Sequence, residues 1–310
     1  MDSKSNSKHS HSHKRAIFKR EIPFYIMLIP GVIFTLVFSY FPMFGLTMAF
    51  QDFTPLKGFE HSAWVGLKNF REMLALPTFW NVVGNTLFIS VFKIILRLFV
   101  PLMLALLLNE VIHPRFMRIS QTVFFLPYFL SWAVVSGMIR SLFQYDGLVN
   151  GLLGKFGIDP IMFLGSNTWF PVIIILSDVW KDMGYNMIIY LAAITSVDPA
   201  LHESAALDGA NRWQQIRHIT LPAIRPIVVM LLVLSLGSVL SAGMEQVMLL
   251  YNPMVYKSAD IIDTLVYRLG LINHQWSLSA AVGMMKSVIS FILVVISYRI
   301  ASKHFDYQIF

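Results

Sequence analysis

Cysteine is absent from the chain. That excludes disulfides, thiol nucleophiles and cysteine-based zinc sites, and it leaves the compartment open. Charge is scarce as well: Asp, Glu, Lys and Arg make up 13% of the residues, against about a quarter in an ordinary soluble domain. No G-x-x-x-x-G-K-[ST] phosphate loop occurs, and Gly283-Met284-Met285-Lys286-Ser287 lacks its spacing. No G-x-S-x-G or H-E-x-x-H occurs either. The chain therefore does not hydrolyse ATP by itself, and nothing in it implies an enzyme, a resident cofactor or a bound metal. What fills the space is apolar: 56% of the residues are hydrophobic and the mean hydropathy is +0.64. This composition defines a membrane protein. The net charge of +7 would point to nucleic acid in a soluble chain; here its placement reports topology instead.

Residues 1–21 form a polar, basic segment with Lys4, Lys8, Lys14, Arg15, Lys19 and Arg20. It reads as a disordered cytoplasmic tail that touches anionic lipid. His9, His11 and His13 alternate in it, but no carboxylate joins them and no fold fixes their geometry. From Ile22 to Gln51 no residue is charged. A first span is expected at 23–42, too long for a signal-peptide core and without a cleavage site. Residues 52–80 read as an amphipathic outer segment with Trp64, Phe70, Phe79 and Trp80 as interface anchors.

Five more spans are expected at 83–109, 117–143, 170–196, 225–249 and 276–299, all helical, with no internal repeat. With the N-terminus inside, the inner segments hold the six tail cations plus Arg115, Arg118, Arg212, Arg217, Arg225, Arg299 and Lys303, 13 in all. The outer segments hold Lys57, Lys68, Arg71, Lys155, Lys257 and Arg268. The excess places both termini in the cytoplasm. The expectation is thus an all-α protein of about six transmembrane helices in the cell membrane. Its divisions are the tail, a first span with its outer segment (22–80), a core of five spans (81–303) and a short cytoplasmic end (304–310).

Charge inside a span costs at least about 2.5–3.5 kcal/mol per residue, so such groups face other helices, water or each other. Thr86, Ser90, Lys93 and Arg97 share one helix face. They form either a polar seam against a neighbour or the wall of a conduit. Asp178, Lys181, Asp182 and Tyr185 share another face, and Asp178 and Lys181 have the spacing of an ion pair. Phe129, Trp132, Trp180 and Tyr185 are candidates for stacking on sugar rings, with ordinary packing as the alternative. Glu245 and Gln246 interrupt the fifth span near its outer end. They suit substrate, a docked partner or the lipid–water boundary.

One polar stretch, 198–222, lies between two apolar blocks on the inner side. Asp198 can cap a helix that starts at Pro199. Residues 200–208 are mostly good helix formers, and Gly209 permits a sharp bend. A second short helix follows from Arg212, with Pro222 expected to end it. The result is a helix–bend–helix at a membrane face, a shape suited to a lever.

Within that stretch Glu203, Ala205, Asp208, Gly209, Ala210, Ile219, Leu221 and Pro222 carry the E-A-A, D-G-A and I-x-L-P pattern at its spacing. The stretch resembles the EAA loop of permease subunits of binding-protein-dependent ABC importers; Ser204 and Ile216 depart from the pattern where alanine and an aromatic are usual. The sugar-type branch is resembled further by Ala49 to Gly58, by Phe125-Leu126-Pro127, by Phe129-Leu130-Ser131-Trp132, and by Glu245-Gln246 through Tyr251-Asn252-Pro253. The resemblance covers nearly everything after residue 22. It implies a type-1 permease fold with the EAA loop as coupling loop, Glu203 offering charge, Ala205 a close approach and Gly209 the turn. The partners it implies are a second homologous permease, two cytoplasmic ATP-binding subunits and an extracytoplasmic solute-binding protein. The cargo would be an oligosaccharide or related carbohydrate, with a non-sugar solute as the alternative. Outside the resemblance, an ion-gradient transporter using Asp178, Lys181 and Glu245, or a scaffold or channel subunit, remains as a competing reading.

Overall fold

The computed structural model describes residues 21–237 and 240–305. The basic tail with its histidines and the last five residues lie outside them. Helix α1, Glu21–Phe50, enters as a long apolar rod whose first two dozen side chains contact almost nothing else in the chain. Its last turns tighten to a 3-10 helix and lean on the final helix. A two-residue hairpin follows, β1 (Gln51–Asp52) with β2 (Ala63–Trp64), antiparallel with Gln51 opposite Trp64. Helix α2 (Lys68–Ala75) is tied to this corner by the Asn69 amide, which donates to the carbonyls of Ala49 and Gln51 at 2.9 and 3.0 Å. Trp64 and Trp80 are exposed as interface anchors would be, but Phe79 is buried and belongs to the core.

Helix α3 (Phe79–Asn109) and helix α7 (Trp169–Thr195) form the main packed pair. Lys93 meets Asp178, and Arg97 meets Asp178 and Asp182. An equal step along both chains means that the two helices run parallel. Their apolar contacts fall into two separate cores. One holds Ile89, Phe170 and Ile174; the other holds Ala105, Leu108, Met187 and Tyr190. The charges occupy the level between them.

Among the described residues, four helices are long and apolar enough to cross a membrane: α1, α3, α9 (Arg212–Gly237) and α12, apolar over Trp276–Arg299. Helix α7, 27 residues long, also has the length but carries Asp178, Lys181 and Asp182. The expected third span is not one rod. Helix α4 (Pro114–Phe125) with its 3-10 turn through Phe129 meets α5 (Trp132–Phe143) and α6 (Leu148–Lys155) at a bend of 103°. Pro127 tightens the turn, Leu130 is extended, and the Ser131 hydroxyl accepts from the Val134 amide to start α5 afresh. The expected fifth span is displaced toward the lever. Helix α9 is described as far as Gly237, Gly243 has φ +90°, and a separate short helix α10 (Met244–Leu250) follows.

Close approach explains one glycine. A Cβ on Gly184 would lie 2.1 Å from the Phe124 carbonyl oxygen and 2.6 Å from the Phe125 Cα. Helices α4 and α7 therefore touch backbone to backbone, as small residues allow in membranes. Gly184→Ala is expected to lower the thermal stability of the purified protein by about 1–3 kcal/mol. A melt unchanged from wild type would refute the contact.

Candidate functional site

The stretch 198–222 divides into a free half and a rooted half. Asp198 caps helix α8 (Pro199–Leu207), its carboxylate accepting from the Ala200 amide at 2.9 Å. Gly209, at φ +83°, closes the helix: its amide donates to the Ala206 carbonyl and the Ala210 amide to that of Ala205. That is the paired-bond ending that needs a left-handed residue. Asn211 and Gln214 then cap α9 reciprocally at 2.8 and 2.9 Å. No residue of α8 is buried; Leu201, Glu203 and Leu207 all face out. Beyond the bend, Ile216 and Leu221 pack beside Ile224 into the core of Ala105, Met187 and Tyr190, with Ile219 half-buried. Pro222 does not end the second helix. The wide turn Ile216–Thr220 just before it shifts the hydrogen-bond register, so the ring and its missing donor are accommodated and α9 runs on.

The second constellation lies partway along α3 and α7, between their two apolar cores. Asp178, 2% exposed, receives Lys93 Nζ at 3.1 Å and a two-pronged Arg97 at 2.7 and 2.9 Å. Arg97 also reaches Asp182 at 2.5 Å. Lys93 donates further to the Ala242 carbonyl at 2.8 Å and to Gln246 Oε1 at 2.6 Å. The Gln246 amide donates on to the Ile174 carbonyl and the Ser177 hydroxyl, both at 2.8 Å. One ammonium thus binds α3, α7 and the broken stretch between α9 and α10. Gln246 is fully buried rather than at the lipid boundary, whereas Glu245 is exposed and makes no ion pair among the described residues. The expected Asp178–Lys181 pair does not form, because Lys93 and Arg97 from α3 saturate Asp178 first. Thr86 from the same α3 face accepts instead from the Ile262 amide of α11 (Ile262–Tyr267) at 2.9 Å. Thr86 and Lys93 tie this face to neighbouring elements, while Ser90, Lys93 and Arg97 also line a small cavity beside Asp178; the sequence spacing gave no sign of the Lys93–Gln246 link.

The nominated aromatics separate. Trp180 lines an apolar cavity of 320 Å³ between α5 and α7, with Met138, Leu142 and Leu176. Its walls offer little to a sugar hydroxyl. Phe129, Trp132 and Tyr185 gather instead around Tyr128, which sequence reasoning passed over. Tyr128 stacks on Tyr185 at 4.8 Å and 12°, and on Phe125 at 5.8 Å and 9°. Phe129 stands edge-on to Tyr128 at 5.8 Å. Lys181 Nζ lies 5.4 Å from the Tyr128 ring and 5.5 Å from that of Trp132. Toward the other end, Asp260 holds Arg268 and the Thr264 hydroxyl. Those bonds keep the Arg268 guanidinium above its ordinary range. Asp263 pairs with Lys286.

Parallel helices joined by buried charge, a span bent at Leu130 and an exposed helix–bend–helix rooted in the core fit a multi-pass membrane transport protein. The chain belongs to the family of binding-protein-dependent transport system inner membrane components, whose pattern it matches over residues 97–306. It is 44% identical to the polygalacturonan/rhamnogalacturonan transport system permease protein YteP of Bacillus subtilis (strain 168), over 90% of this chain and 87% of the relative. It is similar to a chain in the crystal structure of a bacterial ABC transporter that imports the acidic polysaccharide alginate, with TM-score 0.88, 37% identity and coverage of 94% and 99%. A second crystal structure, of a bacterial alginate ABC transporter in complex with its alginate pentasaccharide-bound periplasmic protein, matches with TM-score 0.86, 37% identity and coverage of 93% and 96%.

Proposed function

We propose that the chain is the permease subunit of an ATP-driven ABC importer that moves an oligosaccharide inward by alternating access. The observation that carries this reading is the lever: no residue of α8 is buried, while Ile216, Leu221 and Ile224 after the bend pack into the core. A force on α8 is thereby passed to α3, α7 and α9 together. The ATPase would sit against Glu203, Ala205 and the exposed leucines, with Asp208, Gly209 and Ala210 setting the bend and Ile219, Leu221 and Pro222 rooting it. The distribution of Lys and Arg supports placing this lever, and both termini, in the cytoplasm. Residues 81–303 act as the permease core, and the partners are a second permease, two ATP-binding subunits and an extracytoplasmic solute-binding protein. The carbohydrate cargo is supported by the relatives named for polygalacturonan/rhamnogalacturonan transport and for alginate import. Alternating access is rigid-body rocking of helix groups about a fixed site.

Reconstitution decides it. The chain, its neighbouring permease and their ATPase in vesicles are expected to import oligosaccharide only with ATP inside and binding protein outside. Uptake that ignores ATP and collapses with an ionophore would overturn the reading in favour of an ion-gradient transporter.

A further inference from the structure

Three cations and two carboxylates meet where α3, α7 and the turn after α4 converge. Asp178 is taken by Lys93 and Arg97, and Asp182 by Arg97. Lys181 is left over. It is 9% exposed, and no carboxylate oxygen of a described residue comes within 4.0 Å of its Nζ. Of its three N–H groups, one donates to the Tyr128 carbonyl at 3.1 Å. That carbonyl lies in the 3-10 turn at the bend after α4. The other two find no oxygen among the described residues. An unpaired charge at such depth is costly unless something compensates it. The rings of Tyr128 and Trp132 compensate only in part, at 5.4 and 5.5 Å. Around this ammonium Tyr185 and Phe129 are exposed to the outside of the chain, while Tyr128 gives its ring to Tyr185 and Phe125.

We propose that Lys181 is the counter-ion site for a carboxylate on the cargo. The transported oligosaccharide is then a uronate-bearing one, its ring lying against the exposed rings of Tyr185 and Phe129 and its carboxylate meeting Nζ. This rests on the carbohydrate reading above. An aromatic surface alone suits any pyranose; a buried cation with no protein carboxylate oxygen within 4.0 Å selects an anionic one. A carboxylate there restores neutrality to the cluster and supplies the missing acceptors, which a hydroxyl does less well.

The test uses the assembled transporter in vesicles with saturating binding protein and a panel of uronate oligosaccharides, each paired with its methyl ester. The ester keeps the ring and removes the charge. Wild type is expected to import acids over esters, and Lys181→Gln to cut that preference roughly tenfold or more, while Lys181→Arg retains it. Because Lys181→Gln removes a buried group, a second measurement uses the unaltered protein. Carbodiimide coupling during turnover is expected to join the acid, and not the ester, to the Lys181 amine, read by peptide mass. An unchanged acid-to-ester ratio in Lys181→Gln, or no adduct at Lys181, overturns the assignment. Import of neutral esters alone sinks it and leaves the carbohydrate reading standing. Import of none of the sugars sinks both.

Discussion

Gly209→Val is expected to abolish ATP-driven uptake while the protein still reaches the membrane in near-normal amount. Gly209 has φ +83°, and nothing lies within 4 Å of where its Cβ would be. Valine therefore meets no clash; the effect comes from the backbone alone. A β-branched residue forced into the left-handed region costs roughly 1–2 kcal/mol or more. The loop can relieve that cost easily, since no residue of α8 is buried on this chain. It does so by giving up the bonds from Gly209 and Ala210 to Ala206 and Ala205, which re-aims α8. Stability barely changes, but α8 no longer points at its partner. Gly209→Asn, which tolerates the left-handed region, is expected to keep most of the uptake. Uptake by the valine variant at the wild-type rate would show that the bend does not transmit force.

Asp178→Ala acts in the opposite way, through stability. It leaves Lys93 buried without its carboxylate and takes from Arg97 its two-pronged acceptor. Removing one partner of a buried pair costs about 3–5 kcal/mol. For a chain of this size the melting temperature should fall by about 5–15 °C, with loss of transport. The double variant Lys93→Met, Asp178→Leu removes both charges and should recover part of that stability, because a neutral packed pair is often tolerated. It should not recover transport if the Lys93 ammonium holds the Ala242 carbonyl and Gln246 in place. Thermal melting of the three purified proteins separates these outcomes. A double variant no more stable than Asp178→Ala would refute the pairing account.

Much of this was legible in the sequence because membranes limit the choices. Apolar length located most of the helices, and the spaced Glu203-to-Pro222 pattern located the lever with its Asp198 cap and Gly209 bend. The breaks were harder to see. Hydropathy does not distinguish a straight rod from one folded at Leu130, since both halves are apolar; Pro127 and Ser131 were the only local signs. The same blindness carried the expected fifth span past Gly237 as far as residue 249. Partner choice was invisible as well. Asp178 and Lys181 have a sound i, i+3 spacing on α7, but Arg97 offers two donors across the helix pair at 2.7 and 2.9 Å and prevails. Tyr128 went unnoticed because a tyrosine in a run of aromatics carries no periodic signal.

The seam between α3 and α7 also constrains how the protein is made. Arg97 and Asp178 are 81 residues apart, so the helix bearing Lys93 and Arg97 emerges from the ribosome well before its carboxylates exist. It must wait, doubly positive, beside the insertion machinery until α7 arrives. Release into lipid is then a joint event, and a chain truncated before residue 178 should be held back or degraded rather than left resident in the bilayer.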